Sequence, residues 1–248
     1  MSRRVNLIPA AGAGQRFVDG GYTTPKPLLP VGGVPMVVRA AQSLPEADHW
    51  IFACRAEHLD ASPLEAELRA AFASVEIVRV DRLTEGQAST CLLAAPFLRD
   101  DDVLTIGPCD SAIRLRAGSA PLADLRDDAT IFTFRGDPAV EQDPRMYGWV
   151  DVAHDYHARR VSVKVPLSET PLNDHAVVGA FSFRRARDFL RAASLTITLN
   201  KRTRGEFYVD EVMNQVIGAG LRVGVLEVAS YIGWGTPDDY ERNRGYAG

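Results

Sequence analysis

The segment Val5 to Ala10 runs straight into a turn built on glycine, Gly12-Ala13-Gly14. Two cations come after it, Arg16 and Lys26, the second fenced by Pro25 and Pro27. The segment reads as a buried β-strand, and the small residues after it let the backbone approach a bound group closely and turn where side chains forbid it. A strand, a close-approach loop and two neighbouring cations describe a pocket for a phosphorylated ligand.

The next hundred residues constrain the fold. Apolar runs at Trp50 to Cys54, Val75 to Val80 and Asp102 to Gly107 read as strands, and helical patterns separate them at Pro35 to Ser43, Leu59 to Ala73 and Gly86 to Leu98. Strands and helices alternating at this pace predict βαβ units and a mainly parallel sheet. The pattern changes after Pro121. Ala129 to Phe134, Gly148 to Val152, Arg160 to Val165 and Ala176 to Phe183 are short β-runs, which add a mixed, hairpin-rich part. Arg185 to Ala193 and Tyr208 to Gly218 are helical, Leu221 to Val228 is expected to be the last strand, and the tail is expected to end in turns.

Composition removes several function classes. A chain of 248 residues with a formal net charge of −4 lacks the basic footprint of a nucleic-acid binder. No apolar run approaches a membrane span and no secretory signal opens the chain, so a cytoplasmic protein is expected. The three cysteines, Cys54, Cys91 and Cys109, are isolated and read as small buried apolar residues rather than a disulfide or zinc framework. The basic run Lys201 to Arg204 reads as a solvated loop, and none of the five histidines claims a chemical role.

The charged residues have chemical uses of their own. Attack at the α-phosphorus of a triphosphate builds charge on nonbridging oxygens. Loop N–H groups can bind these, Arg16 can clamp them in a bidentate way, and Lys26 is a compact charge for the point where two phosphates meet. Asp110 closes the fourth strand, where an acid is well placed to meet ligand.

In their order and spacing, Gly12, Gly14, Arg16, Pro25, Lys26, Pro27 and Leu28 resemble the opening of the sugar-phosphate nucleotidylyltransferases, the NDP-sugar pyrophosphorylase type, and the similarity runs from about residue 5 to about residue 240. The resemblance implies an α/β fold: a single-domain, three-layer, Rossmann-like (GT-A-like nucleotidyltransferase) architecture with a mixed, mostly parallel sheet. It implies a nucleotide-binding part over about 1–125 and an acceptor-binding part over about 126–240. The activity implied is transfer of a nucleoside monophosphate from a nucleoside triphosphate to a sugar 1-phosphate or related phosphate monoester, with release of pyrophosphate. Ala10, Ala11, Gly12 and Gly14 would face the nucleotide, and Gln87 with Gly86 would read the base. Arg16, Lys26 and Asp110 would be catalytic, and Asp110 and Asp210 would hold Mg2+.

On the acceptor side the resemblance points to Gly148 after Tyr147, where the glycine lets the sugar approach, and to Lys164, Gly179 and Glu206. Two departures fall on that side. Lys164 lacks the preceding acid and is separated from Pro166 by Val165, and Gly233 stands where many members carry an aspartate two positions before the glycine of Gly235-Thr236-Pro237. No hexapeptide repeat follows Tyr240, so a second, acetyl-transferring activity is not expected. Monomer and homodimer stay open, as do the base and the sugar. Three other readings stay open with them: a cytidylyltransferase acting on phosphocholine or another non-sugar phosphate, a metal-dependent glycosyltransferase, and a non-catalytic nucleotide binder.

Overall fold

The computed structural model describes residues 2–116 and 126–248. The change of pattern after Pro121, and with it the boundary expected near residue 125, falls outside the described residues.

The first half holds β1 (Arg4–Ala10), α1 (Gln15–Asp19), the small hairpin β2 (Pro30–Val31) and β3 (Val34–Pro35), α2 (Met36–Gln42), β4 (His49–Arg55), α3 (Ala56–Ala61), α4 (Leu64–Ala71), β5 (Val75–Val80), α5 (Gln87–Leu92), β6 (Val103–Ile106) and β7 (Ser111–Arg114). The second holds β8 (Ala129–Phe134), α6 (Ala139–Gln142), β9 (Gly148–Val152), β10 (Ala158–Val163), β11 (His175–Phe183), α7 (Ala186–Thr198), α8 (Val209–Gly218), β12 (Val223–Glu227), β13 (Ser230–Gly233) and α9 (Pro237–Asn243). No described helix is long and apolar enough to cross a membrane.

Nine strands form one mixed sheet in the order β10-β9-β11-β6-β1-β4-β5, with β8 and β12 joined through β11. Pairing is parallel from β6 through β1 and β4 to β5, while β11 runs antiparallel to β6, β8 and β9. β1 lies inside this array with Val5, Leu7 and Ile8 fully buried, as a strand covered on both faces must be. Because side chains alternate across a strand, Val5 and Leu7 join one core cluster with Phe181, Phe189 and Met213, and Ile8 and Ala10 join another with Phe52, Phe132 and Trp149.

Register sets the location of the site. Ala10 is level with Cys54 and Leu7 with Ile106, so the glycine turn after β1 and the segment after β6 leave the sheet on the same edge. β11 is irregular against β8 between Val177 and Phe181, where Gly179 takes φ +83° and brings its backbone to that edge.

Several boundaries differ from expectation for identifiable reasons. The helix expected over 59–73 is two helices broken at Ser62-Pro63, since proline cannot donate within a helix and restricts the residue before it. The helix expected within 86–98 stops at Leu92 and gives way to a single 3-10 turn, Ala95–Phe97, around Pro96. The strand after Leu221 is not the last, and a strand and a helix precede the turn in which the tail ends. β13 pairs antiparallel with β7, aligning Gly233 with Ser111, and α9 comes after it. This tail builds a third cluster, in which Trp234 and Tyr240 pack with Phe17 of α1 and Met36 of α2.

Candidate active site

The edge carrying the β1 turn opens into a cleft of roughly 800 Å³. Gly14 occupies the left-handed region at φ +63°, and a Cβ placed on it would stand 3.4 Å from the Cβ of Lys26, so the turn folds down over the lysine stem. Pro25 fixes the entry to a short 3-10 turn, Lys26–Leu28, and the Leu29 amide donates to the Lys26 carbonyl at 3.1 Å. The lysine is thereby aimed. Its Nζ lies 2.5 Å from Asp110 Oδ2 and 5.3 Å from the centroid of the Phe17 ring. Burial pulls the pKa of Lys26 down, but the charge and hydrogen bond of Asp110 more than offset it, and the ammonium is held above its ordinary value.

Asp110 leaves β6 behind Gly107-Pro108, and its carbonyl accepts the Trp234 amide at 2.8 Å, which ties its backbone to the C-terminal tail. Burial alone would raise its carboxyl. The charge of Lys26 and its hydrogen bond, with Lys164 and Arg16 behind, outweigh burial and keep the group below the usual carboxylate range.

Asp210 comes from the first turn of α8 and is 8% exposed. Among the described residues no other side chain hydrogen-bonds its carboxylate, whose pKa is raised by burial against the opposing charge of Lys164. Gly148 explains how it fits: a Cβ on that glycine would lie 1.9 Å from Asp210 Oδ1. Asp210 therefore needs the room that Gly148 leaves, on the cleft wall where a sugar is expected to approach. Half-buried Asp110 is thus matched by a lysine, while the buried Asp210 carboxylate has no hydrogen bond from another side chain among the described residues. Among the described residues no three His, Cys, Asp or Glu side chains gather as a protein-only metal cage requires. Two carboxylates completed by phosphate oxygens and water are the way proteins usually hold Mg2+, and this pair fits that pattern.

Lys164 reaches the cleft despite its altered surroundings. It takes φ +62°, uncommon outside glycine, while its amide donates to the Tyr147 carbonyl at 3.1 Å. Its ammonium donates to the Met146 carbonyl and stands 5.3 Å from the Tyr208 ring centroid. Burial lowers its pKa, Asp210 resists, and Arg204 and Arg16 lower it further. Arg204 is exposed, as expected of a solvated loop, and its charge still bears on Lys164. Its loop is pinned by Arg202, whose guanidinium lies 3.9 Å over the Phe207 ring and donates to Glu85 at 2.7 Å. The available signal is the position of Arg204-Gly205 directly ahead of the acidic element containing Asp210.

Of the residues singled out from the sequence, Gly14, Arg16, Lys26, Gln87, Asp110, Gly148, Lys164, Gly179 and Asp210 line this cleft. The others do not. The methyls of Ala10 and Ala11 are buried in the core, and Gly12 stands exposed, with nothing within 4 Å of where a Cβ would be. Gly86, at φ +125°, is pressed against Phe207, whose amide N would lie 2.6 Å from a Cβ on it; Ala88 donates to the Phe207 carbonyl at 2.9 Å in the same contact. Glu206 packs its Cβ at this junction and is exposed outside the cleft. Cys109 departs from the expectation for cysteines: it is half-buried and lines the cleft, with its thiol pushed up to about 12 by burial and then by Asp110. Among the described residues no histidine lines the cleft.

Comparison with known proteins bears on the family and the fold. Residues 6–148 match the family profile of the MobA-like NTP transferase domain. In overall fold the chain is similar to the nucleoside-diphosphate-sugar pyrophosphorylase from Vibrio cholerae RC9, with a TM-score of 0.79 at 22% identity over 97% of this chain and 100% of that one. It is also similar to the inositol-1-phosphate CTP transferase from T. maritima, with a TM-score of 0.74 at 15% identity over 96% and 92% of the two chains. No curated protein sequence matches it.

Proposed function

The chain belongs to the MobA-like NTP transferase domain family and is a nucleotidyltransferase, and from that premise we propose that it moves a nucleoside monophosphate from a nucleoside triphosphate to a sugar 1-phosphate or related phosphate monoester, with Mg2+. The observation that carries this reading is that two acids and two lysines meet in one cleft: half-buried Asp110 paired with Lys26 at 2.5 Å, and buried Asp210 within the electrostatic reach of Lys164.

The residues divide the work between the two substrates. The β1 turn and Arg16 hold the triphosphate, with Gln87, an amide that both donates and accepts, beside the base. Asp110 and Asp210 would hold Mg2+, which when bound supplies charge neutralisation to the phosphate oxygens. Lys164 positions the acceptor phosphate from the opposite wall. Lys26, charged and held in place by Asp110, stands between the two and lowers the repulsion as the anions approach.

An acceptor phosphate oxygen then attacks the α-phosphorus in line. A new P–O bond forms, the bond from the α-phosphorus to the bridging oxygen breaks, and that oxygen leaves on pyrophosphate with its electron pair. The acceptor phosphate is already ionised at neutral pH, so no general base is needed, in keeping with a cleft that no described histidine lines. Catalysis rests on positioning and electrostatics.

The test is a panel of the common nucleoside triphosphates against several sugar 1-phosphates and other phosphate monoesters, reading pyrophosphate. Asp110→Asn is expected to lower turnover by about 10²-fold or more, and Lys26→Ala by a factor of similar order, with the fold retained. Pyrophosphate absent throughout the panel, or near-native turnover by Asp110→Asn in Mg2+, would overturn the reading.

A further inference from the structure

Lys164 shares the cleft with Asp210 and Arg16, where a phosphate is to be gripped, and Arg204 and Glu206 act on it from outside. The phenols of Tyr147 and Tyr231 stand instead in a field of carboxylates. Tyr147 is pushed up to about 12 by burial and then by Asp239, Asp137 and Asp143. Tyr231 is raised by burial and then by Tyr147, Asp110 and Asp239.

These rings are a built wall. Tyr231 stacks on Phe134 with centroids 4.5 Å and planes 11° apart, and Tyr147 meets Phe134 edge-on at 5.6 Å. Tyr231 also takes the room that a side chain at 233 would need, since a Cβ on Gly233 would lie 3.2 Å from its hydroxyl. An aromatic ring therefore crowds the position where the resemblance leads one to expect an aspartate.

Negative charge enters from another direction. Asp137 lines the cleft with Oδ1 engaged by the Ala139 amide at 2.9 Å, and among the described residues no lysine or arginine pairs with it. Asp239 differs, sharing its charge with Arg242 at 3.3 Å. Aromatic rings beside an uncompensated carboxylate form the chemistry that receives a cation, because the ring quadrupole and the acid attract the same charge.

We propose that the acceptor is dipolar: a phosphate monoester whose other end carries a positively charged nitrogen, seated against Tyr147 and Tyr231 beside Asp137, with its phosphate toward Lys164 and Lys26. The proposal rests on the nucleotidyl-transfer reading above and narrows its acceptor. Two sources share this chemistry, an amino-alcohol phosphate and an amino-sugar 1-phosphate.

Two matched pairs test it by calorimetry and by pyrophosphate release: choline phosphate against 3,3-dimethylbutyl phosphate, and glucosamine 1-phosphate against glucose 1-phosphate. Each pair is close in shape and differs in charge. The cationic member of at least one pair is expected to be preferred by about tenfold in Kd and kcat/KM, and the pair that shows the preference identifies the source. Asp137→Asn keeps an oxygen for the Ala139 amide and is expected to bring that ratio toward one. Equal or better use of the neutral member in both pairs overturns the inference and leaves nucleotidyl transfer standing; so does a ratio unchanged by Asp137→Asn. Absence of pyrophosphate from every acceptor strikes the transfer reading itself, and the calorimetric ratios still decide the charge preference.

Discussion

A single glycine can be small for two different reasons, and this chain contains both. At Gly148 the neighbour is protein: a Cβ would sit 1.9 Å from Asp210 Oδ1, and the carboxylate would have to move. Gly148→Ala is therefore expected to cost both stability, by a few kcal/mol as overpacking does, and turnover, by about 10²-fold. Thermal melting and initial rates would read the two losses, and a variant that melts and turns over like the parent would contradict the contact. At Gly12 no protein atom lies within 4 Å of a Cβ, and φ is outside the left-handed region. Gly12→Ala should leave the melting temperature unchanged and raise the KM for the triphosphate about tenfold if ligand backbone contacts are made there. The two glycines look alike in the sequence, each near a strand end. Only the fold shows that one abuts Asp210, a residue of the distant helix α8, and the other abuts open space.

At the scale of elements, the least legible part is the tail, and it can be tested at its cap. The start of α9 carries familiar signals, Thr236 at the N-cap and Pro237 at the first helical position. The Thr236 hydroxyl accepts the Asp239 amide at 3.1 Å and donates to Asp239 Oδ2 at 2.7 Å. Thr236→Ala is expected to cost about 1 kcal/mol, a melting shift of about 2–4 °C in a chain of this size. It should also weaken triphosphate binding, because Tyr240 of α9 packs against Phe17 just after the glycine turn. An unchanged melting temperature would show that the cap is idle. These signals do not suffice to predict the helix, because Tyr240 is its one buried side chain and a single apolar residue has no period. β13 is similar: four half-buried residues alternate in nothing, and its partner β7 lies more than a hundred positions earlier. Strands rich in β-branched residues, such as β5 and β8, are legible to the residue. Lys26 and Asp110 are legible from residue type and place, and Lys164 and Asp210 through the family resemblance. The wall of Tyr147, Tyr231 and Asp137 is not, since its parts acquire meaning only when the sheet brings them together.

For the whole molecule, acid sensitivity between about pH 7.5 and 5.5 is a sum of opposed histidines, and one of them can be separated out. His175 at the start of β11 bonds Thr133 Oγ1 through Nδ1 at 2.9 Å. Burial, reinforced by Arg135, holds its pKa below the ordinary 6.5, and Glu227 and Asp174 resist. A histidine with a depressed folded pKa takes up more protons unfolded than folded, so its contribution to stability is complete above the unfolded pKa. That contribution is lost as pH falls below the unfolded value toward the folded one. His49 and His58 are shifted in the same direction, chiefly by burial. His157 is shifted oppositely, raised by its bonds to Asp155 and Asp127, so it favours the fold on the acid side and loses that effect as pH rises through its folded value. The raised Asp210 also favours the fold toward acid. The net slope of the parent is thus a cancellation, but a difference between two proteins is not. In His175→Asn the amide can keep the Thr133 bond without titrating. Whatever the variant loses at neutral pH, its melting temperature is expected to fall less than the parent's on going from about pH 7.5 to 5.5. Parallel profiles for the two proteins would show that His175 titrates in the fold as it does in the unfolded chain.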